Sequence, residues 1–170
     1  GGGQASFNGV AYDPPEPAPA MRLARADGTP FDLRAQRGSA VLIFFGYTHC
    51  PDLCPTTLAD WVKVKRALQG DAARVRFVFV SVDPARDTPA QTQRYVAAFD
   101  SSFIGLSGDS VQIAHVESLF HVSSSREHVE GSGEYAVTHA AQSFVVGPRG
   151  ELRVLISPGM PPDKIAADVR

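Results

Sequence analysis

The apolar positions of the chain form short runs separated by polar and helical stretches. AVLIFF at 40–45 is a continuous apolar run, which is typical of a central strand covered on both faces, and RFVFVSV at 76–82 predicts a second buried strand. Shorter runs predict further strands, at 21–25 and 31–33 as one hairpin, at 103–106, and at 143–146 and 152–156 as a second hairpin around GPRG.

Helices are predicted at 54–68, 88–99, 109–120 and 161–169. Thr88 followed by Pro89 predicts an N-cap and a proline in the first helical turn. Strand, helix, strand, helix, hairpin and helix is the order of a thioredoxin-like α/β sandwich with a central mixed sheet. We therefore expect that fold over 21–170, with the first hairpin added at its N-terminal side and the second hairpin and last helix closing it.

Residues 1–20 are rich in glycine and proline and contain little that could form a core. This composition predicts a flexible tether or an added tail. No apolar run approaches the roughly 18 residues of a membrane span, and the chain begins Gly-Gly-Gly. We expect that a native N-terminus, with a signal or an anchor, preceded this start.

The balance of acidic and basic residues does not indicate a class of binding partner. The chain has 16 basic and 18 acidic residues among 170, so no charge excess favours nucleic acid or an anionic membrane surface.

The only two cysteines lie in GYTHCPDLCPTT, at Cys50 and Cys54. A structural disulfide would close a very short ring and contribute only about 2 kcal/mol, and two unrelated buried thiols would have to meet by chance. A chemical role is favoured, because Pro55 places Cys54 near a helix N-terminus, where the thiolate is stabilised. Two such sulfurs can form a reversible disulfide or bind a soft metal such as Cu(I) or zinc.

Two sulfurs leave a metal under-coordinated, so a third ligand is expected. His139 precedes the strand at 143–146, which abuts the cysteine loop in a thioredoxin-like sheet, and it is the leading candidate. A ligand among the other histidines, or no histidine ligand, remains an alternative. We interpret His49 as a neighbour of the cysteine loop and His115 as a packing or surface residue. His121 and His128 are interpreted as solvated residues.

GYTHCPDLCPTTLADW, VFVSVDPARDTP, FIGLSGD and a histidine before SFVVGPRGEL together resemble the Sco family, the copper chaperones of cytochrome c oxidase assembly. The resemblance implies a metallochaperone rather than an enzyme. It implies that Cys50, Cys54 and His139 bind copper, as Cu(I), Cu(II) or both, for delivery to the binuclear copper site of the oxidase. It further implies an N-terminal membrane anchor and a domain facing the periplasm or intermembrane space. The implied partners are the copper-site subunit of the oxidase and another periplasmic copper carrier or a thiol reductant.

The family pattern has an aspartate immediately before the histidine, where this chain has Thr138, and tends to have serine or threonine where this chain has Ala140. The missing carboxylate bears on affinity, on transfer and on partner identity, since second ligand shells tune metal sites. We interpret the polar segment 123–135 as a mobile arm that carries His139.

The alternatives are a thiol-disulfide reductase and, less favoured, a peroxiredoxin-like peroxidase. Reductases of this fold have C-x-x-C and a proline before the hairpin strand, where this chain has C-x-x-x-C and Ala-Ala-Gln. The peroxidase pattern needs other residues than Pro51 and Tyr47 ahead of its reactive cysteine.

Overall fold

A computed structural model describes residues 6–50, 53–128, 135–139 and 142–170, with the backbone alone for 53, 126–128 and 135–139. Its strands are β1 (Val10–Pro17), β2 (Arg22–Ala24), β3 (Pro30–Asp32), β4 (Ala40–Gly46), β5 (Val75–Ser81), β6 (Ile104–Leu106), β7 (Ser124–His128), β8 (Tyr135–His139), β9 (Ser143–Val146) and β10 (Glu151–Ile156). Its α-helices are α1 (Leu53–Leu68), α2 (Pro89–Ala97), α3 (Ser110–Leu119) and α4 (Pro162–Val169). None of these helices is long and apolar enough to cross a bilayer.

The main sheet has the order β1-β10-β9-β4-β5-β6. β4, β5 and β6 run parallel, and β9, β10 and β1 pair antiparallel, so the sheet is mixed. β2 and β3 form a separate hairpin at the N-terminal side. The predicted thioredoxin-like α/β fold is confirmed, with the cysteine loop at the carboxyl end of the central strand β4.

The two faces of the sheet are covered by different elements. On one face, side chains of α1, α2 and α4 pack with those of β4, β5 and β10, and Trp61 and Phe77 lie at the centre. On the other face, the β2–β3 hairpin and α3 pack against β4, β5 and β9. β4 is buried along its whole length, as its continuous apolar run predicts.

Two helices begin with reciprocal capping. Thr88 accepts a hydrogen bond from the backbone of Gln91, whose side chain accepts one from the Thr88 backbone. The same box joins Asp109 and Gln112 at α3. The predicted N-cap at Thr88 is therefore confirmed, and the box fixes where α2 starts after β5.

The N-terminal segment differs from the sequence prediction. Its composition predicts a flexible tether, but β1 is an edge strand paired with β10. Proline lacks a backbone donor and is tolerated on an edge, where one side of the strand needs no partner. The tether prediction is wrong for Val10–Pro17, because sheet pairing supplies the order that the composition does not indicate.

The segment predicted as a mobile arm also contains regular structure. β7 and β8 pair antiparallel, with Ser124 opposite His139 and His128 opposite Tyr135. The polar pattern does not indicate this ribbon, because its pairing depends on the partner strand more than on an apolar face. The tip of the predicted arm, 129–134, lies outside the described residues.

Candidate metal centre

The cysteine pair lies where β4 gives way to α1. Cys50 is in the connecting loop and half-buried, whereas Cys54 is in the first turn of α1 and has no exposed surface. Both are free thiols. The two side chains are hydrogen-bonded to each other, so their sulfurs converge as the sequence predicts.

Gly46, the last residue of β4, makes room for the inner sulfur. A Cβ atom at this position would lie 2.8 Å from Sγ of Cys54, 2.8 Å from the Phe79 ring and 2.9 Å from the Phe44 ring. These distances are shorter than van der Waals contact. A residue without a side chain is therefore required here for the sulfur to sit against the sheet.

The environment of Cys54 reverses one expectation. Burial raises the pKa of the Cys54 thiol well above its ordinary value, with the Cys50 sulfur and the Asp87 carboxylate adding to it, although a backbone hydrogen bond from Tyr47 opposes them. The sequence predicts a stabilised thiolate at the helix N-terminus. That prediction is wrong for the Cys54 thiol, because desolvation between the aromatic rings outweighs the effect of the helix end.

A second polar cluster lies beside the loop. Asp87 follows β5, is 1% exposed, and accepts hydrogen bonds from Thr48 and Ser81. His49 is mostly exposed, and its Nδ1 lies 3.8 Å from Oδ1 of Asp87. The sequence did not single out Asp87, although an aspartate in a predicted strand-to-helix loop is a signal that could have found it.

His49, Asp83 and Asp87 offer ligand atoms within 4.8 Å of one another. The two carboxylates already have protein partners. Asp83 forms an ion pair with Arg86, and Asp87 accepts hydrogen bonds from Thr48 and Ser81. The chemistry of this cluster suits a hydrogen-bonded support for the loop better than a metal site.

Tyr95 is another residue that the sequence did not indicate. Its ring contacts that of Phe79 in a tilted arrangement, with centroids 5.9 Å apart, and packs against the apolar cluster that contains Cys54. Burial, followed by the charges of Cys54, Cys50 and Asp87, raises the pKa of Tyr95 to about 12. Its hydroxyl is buried and has no hydrogen-bond partner among the described residues.

The structure places the histidines in different ways. His115 on α3 and His121 after it are exposed, as interpreted from the sequence. His139 ends β8, and only its backbone is described, as is that of His128. Whether His139 reaches the sulfurs therefore stays a prediction.

The backbone path favours that prediction. β9 begins at Ser143, which pairs with Phe44 near the end of β4. The chain that leaves His139 thus enters the sheet at the same edge from which the cysteine loop leaves.

The family model described as SCO1/SenC matches residues 13–170. The chain belongs to the SCO1/SenC family. It is 39% identical over 116 residues to the mouse mitochondrial protein SCO2 homolog, covering 67% of this chain and 46% of that protein. This SCO1/SenC chain spans about half to two-thirds of the length of the curated relatives that it matches, with coverages of 66%, 46% and 51% for three of them.

Solved structures show the same fold. Bradyrhizobium japonicum ScoI, solved with copper bound, is 36% identical, with a TM-score of 0.81 over 89% of this chain and 96% of that one. BsSco, described as a member of the Sco family of cytochrome c oxidase assembly proteins with a disulfide switch, is 25% identical, with a TM-score of 0.71 over 98% of this chain and 96% of that one. The predicted family resemblance is confirmed.

Proposed function

We propose that this SCO1/SenC chain is a copper metallochaperone and not an enzyme. It binds copper through Cys50 and Cys54 with His139 as the third ligand, and delivers it to the binuclear copper site of cytochrome c oxidase. Family membership supports the proposal, as do the copper bound to ScoI and the assembly role named for BsSco.

The observation that carries the proposal is the pair of free, converging thiols at the end of β4. Thiolates are soft ligands that select Cu(I) over hard cations, and both protons leave when a metal binds. Cys54 has no exposed surface and supplies a ligand shielded from water, whereas Cys50 is partly exposed. A partner can therefore approach the cargo from the Cys50 side and exchange ligands there.

The test is a copper titration of the reduced and the disulfide-oxidised protein under anaerobic conditions. Reduced protein is expected to bind one copper per chain with sulfur-to-copper charge-transfer absorption, because a disulfide sulfur is a poor ligand. A double Cys50→Ser and Cys54→Ser variant is the control. Equal stoichiometry and affinity in the oxidised protein would refute the assignment.

We further propose an extracytoplasmic location, with a membrane anchor on the N-terminal side of the domain. The copper-site subunit of the oxidase is the proposed recipient, with another copper carrier or a thiol reductant as additional partners. Mixing the copper-loaded protein with a soluble, apo copper-site domain tests the recipient. Copper appearing in that domain's own absorption bands supports delivery, and retention by the loaded protein contradicts it.

Thiol-disulfide reduction of a partner is a second candidate function, favoured by the asymmetry of the pair. Cys50 is partly exposed and Cys54 is buried behind it, which suits an attacking and a resolving thiol. Cys50 would attack a partner disulfide to form a mixed disulfide, and Cys54 would then release the partner as a dithiol and leave a Cys50–Cys54 disulfide. Cys54→Ser should trap the mixed disulfide with an oxidised copper-site domain. Absence of a trapped adduct would count against this function.

A further inference from the structure

The carboxylate of Asp87 is buried under the loop that carries the outer thiol. Its Oδ2 accepts hydrogen bonds from the Thr48 backbone N–H at 2.9 Å and from Ser81 Oγ at 2.7 Å. Its Oδ1 accepts one from Thr48 Oγ1 at 2.5 Å. The side chain is 1% exposed, so this network is shielded from water.

Asp87 is itself fixed to the frame of the sheet. Ser81 is the last residue of β5, and the Ser107 hydroxyl, just beyond β6, donates to the Asp87 carbonyl at 2.6 Å. The Asp87 backbone N–H also donates to the Asp83 carbonyl at 2.9 Å. The carboxylate therefore links the rigid carboxyl edge of the sheet to the loop.

The loop residue that Asp87 holds is close to the metal site. Thr48 lies two residues before Cys50, whose own backbone N–H donates to the Tyr47 carbonyl at 3.3 Å. Cys54 on the other side is held by α1 and by its packing. The two bonds from Thr48 to Asp87 thus tie the Cys50 side of the loop to the sheet.

A buried carboxylate is expensive unless donors surround it, and a merely structural site is often served as well by apolar packing. Here the three hydrogen-bond donors are neutral groups of the loop and strand, and the imidazole of His49 lies beyond hydrogen-bond distance, with Nδ1 3.8 Å from Oδ1. Such an arrangement orients a neighbouring segment in the way that outer-shell carboxylates orient metal ligands.

We propose that Asp87 is a positioning residue of the thiol pair: by holding Thr48 it keeps Cys50 opposite Cys54 in the geometry required for disulfide formation and for copper. The copper half of this proposal rests on the proposed function, and the disulfide half does not.

Three variants distinguish the positioning of Thr48 by Asp87 from an effect of the Asp87 charge and from an effect on the stability of the whole fold. Asp87→Asn keeps the shape but lacks one acceptor and the charge. Thr48→Val deletes the hydrogen bond from Oγ1 to Asp87, together with the 3.3 Å contact between Oγ1 and His49 Nδ1, and leaves the charge of Asp87. The matched control is Asp168→Asn, because Asp168 is 3% exposed and also accepts three hydrogen bonds, from Asn8 N at 2.8 Å, Asn8 Nδ2 at 3.1 Å and Gly9 N at 2.7 Å.

The measurement is the equilibrium of the purified chain with glutathione, in which two protein thiols and one glutathione disulfide give one protein disulfide and two glutathione thiols. A hydrogen bond to a charged group is commonly worth about a factor of ten or more, so Asp87→Asn is expected to shift this equilibrium about tenfold toward the dithiol, or about 30 mV. Thr48→Val should shift it in the same direction by less. Asp168→Asn should leave it unchanged while lowering thermal stability.

A shift of less than twofold in Asp87→Asn, a shift toward the disulfide, or an equal shift in Asp168→Asn would overturn the proposal. An effect of Asp87→Asn with none in Thr48→Val would assign the role to charge and would also overturn it. If Asp87→Asn does not fold, Thr48→Val alone decides, with a shift of more than twofold toward the dithiol as support and a smaller one as refutation.

Copper provides a separate readout. In Asp87→Asn the sulfur-to-copper charge-transfer absorption is expected to move or weaken at unchanged stoichiometry, and in Asp168→Asn it should match the wild type. If no variant or wild-type protein binds copper, the proposed function fails, whereas the glutathione equilibrium still tests Asp87.

Discussion

Replacing Gly46 with alanine perturbs the metal site through a single methyl group. That Cβ would lie 2.8 Å from Sγ of Cys54, 2.8 Å from the Phe79 ring and 2.9 Å from the Phe44 ring. Both rings are fully buried and cannot move aside freely. Overpacking of this kind costs about 1–3 kcal/mol. For a chain of this length that corresponds to a melting temperature roughly 2–12 °C lower, at about 2–4 °C per kcal/mol.

The assay combines thermal unfolding of the reduced protein with copper titration. Gly70→Ala is the matched control, because nothing lies within 4 Å of its added Cβ. Gly105→Ala is a second control, since its Cβ would meet the Thr92 backbone at 2.7 Å, in the α2–β6 contact rather than beside a thiol. Gly46→Ala should lose both stability and copper affinity, and Gly105→Ala only stability. Wild-type stability and affinity in Gly46→Ala would refute the packing account of Cys54.

Three further predictions concern the site. Because burial raises the pKa of Cys54 in the fold, the unfolded chain loses this proton first, so the free energy of unfolding of the reduced protein should fall above pH about 8.5, by at most about 1.4 kcal/mol per pH unit. Urea unfolding at pH 8 to 10 measures this, and an equally steep profile in Cys54→Ser would contradict it. His139→Ala should weaken copper binding at least about tenfold, whereas the exposed His115→Ala and His121→Ala should not, and equal losses in a competition titration would remove His139 as a ligand. Thr138→Asp should change the rate of transfer to an apo copper-site domain more than copper affinity, since neighbouring residues of an extended segment generally face opposite ways, and an effect on affinity alone would contradict this.

The parts of the fold with strong local signals were predictable. The apolar run at 40–45 corresponds to β4 (Ala40–Gly46), and the threonine-proline pair at 88–89 starts α2 as an N-cap does. Both signals are local, since apolar runs need burial and capping satisfies adjacent backbone donors. The cysteine pair was also predictable from a local signal, because Cys50 and Cys54 lie within five consecutive residues.

The remaining features depend on contacts between distant residues. β1 carries prolines and gains its order from β10, which lies more than a hundred residues further along the chain. The raised pKa of Cys54 depends on burial among the aromatic rings of β4 and β5 rather than on its helix position. The bond from Thr48 to Asp87 spans 39 residues, so the loop position alone does not distinguish Asp87 from Asp83 as the support of the cysteine loop.

The ligand set proposed for copper is tested most directly by X-ray absorption spectroscopy of the reduced, copper-loaded protein, beside His139→Ala. We predict two sulfur neighbours and one imidazole around copper in the wild type, and two sulfurs without that imidazole in the variant. Fewer than two sulfurs, or an imidazole signal that persists in His139→Ala, would contradict the assignment of Cys50, Cys54 and His139.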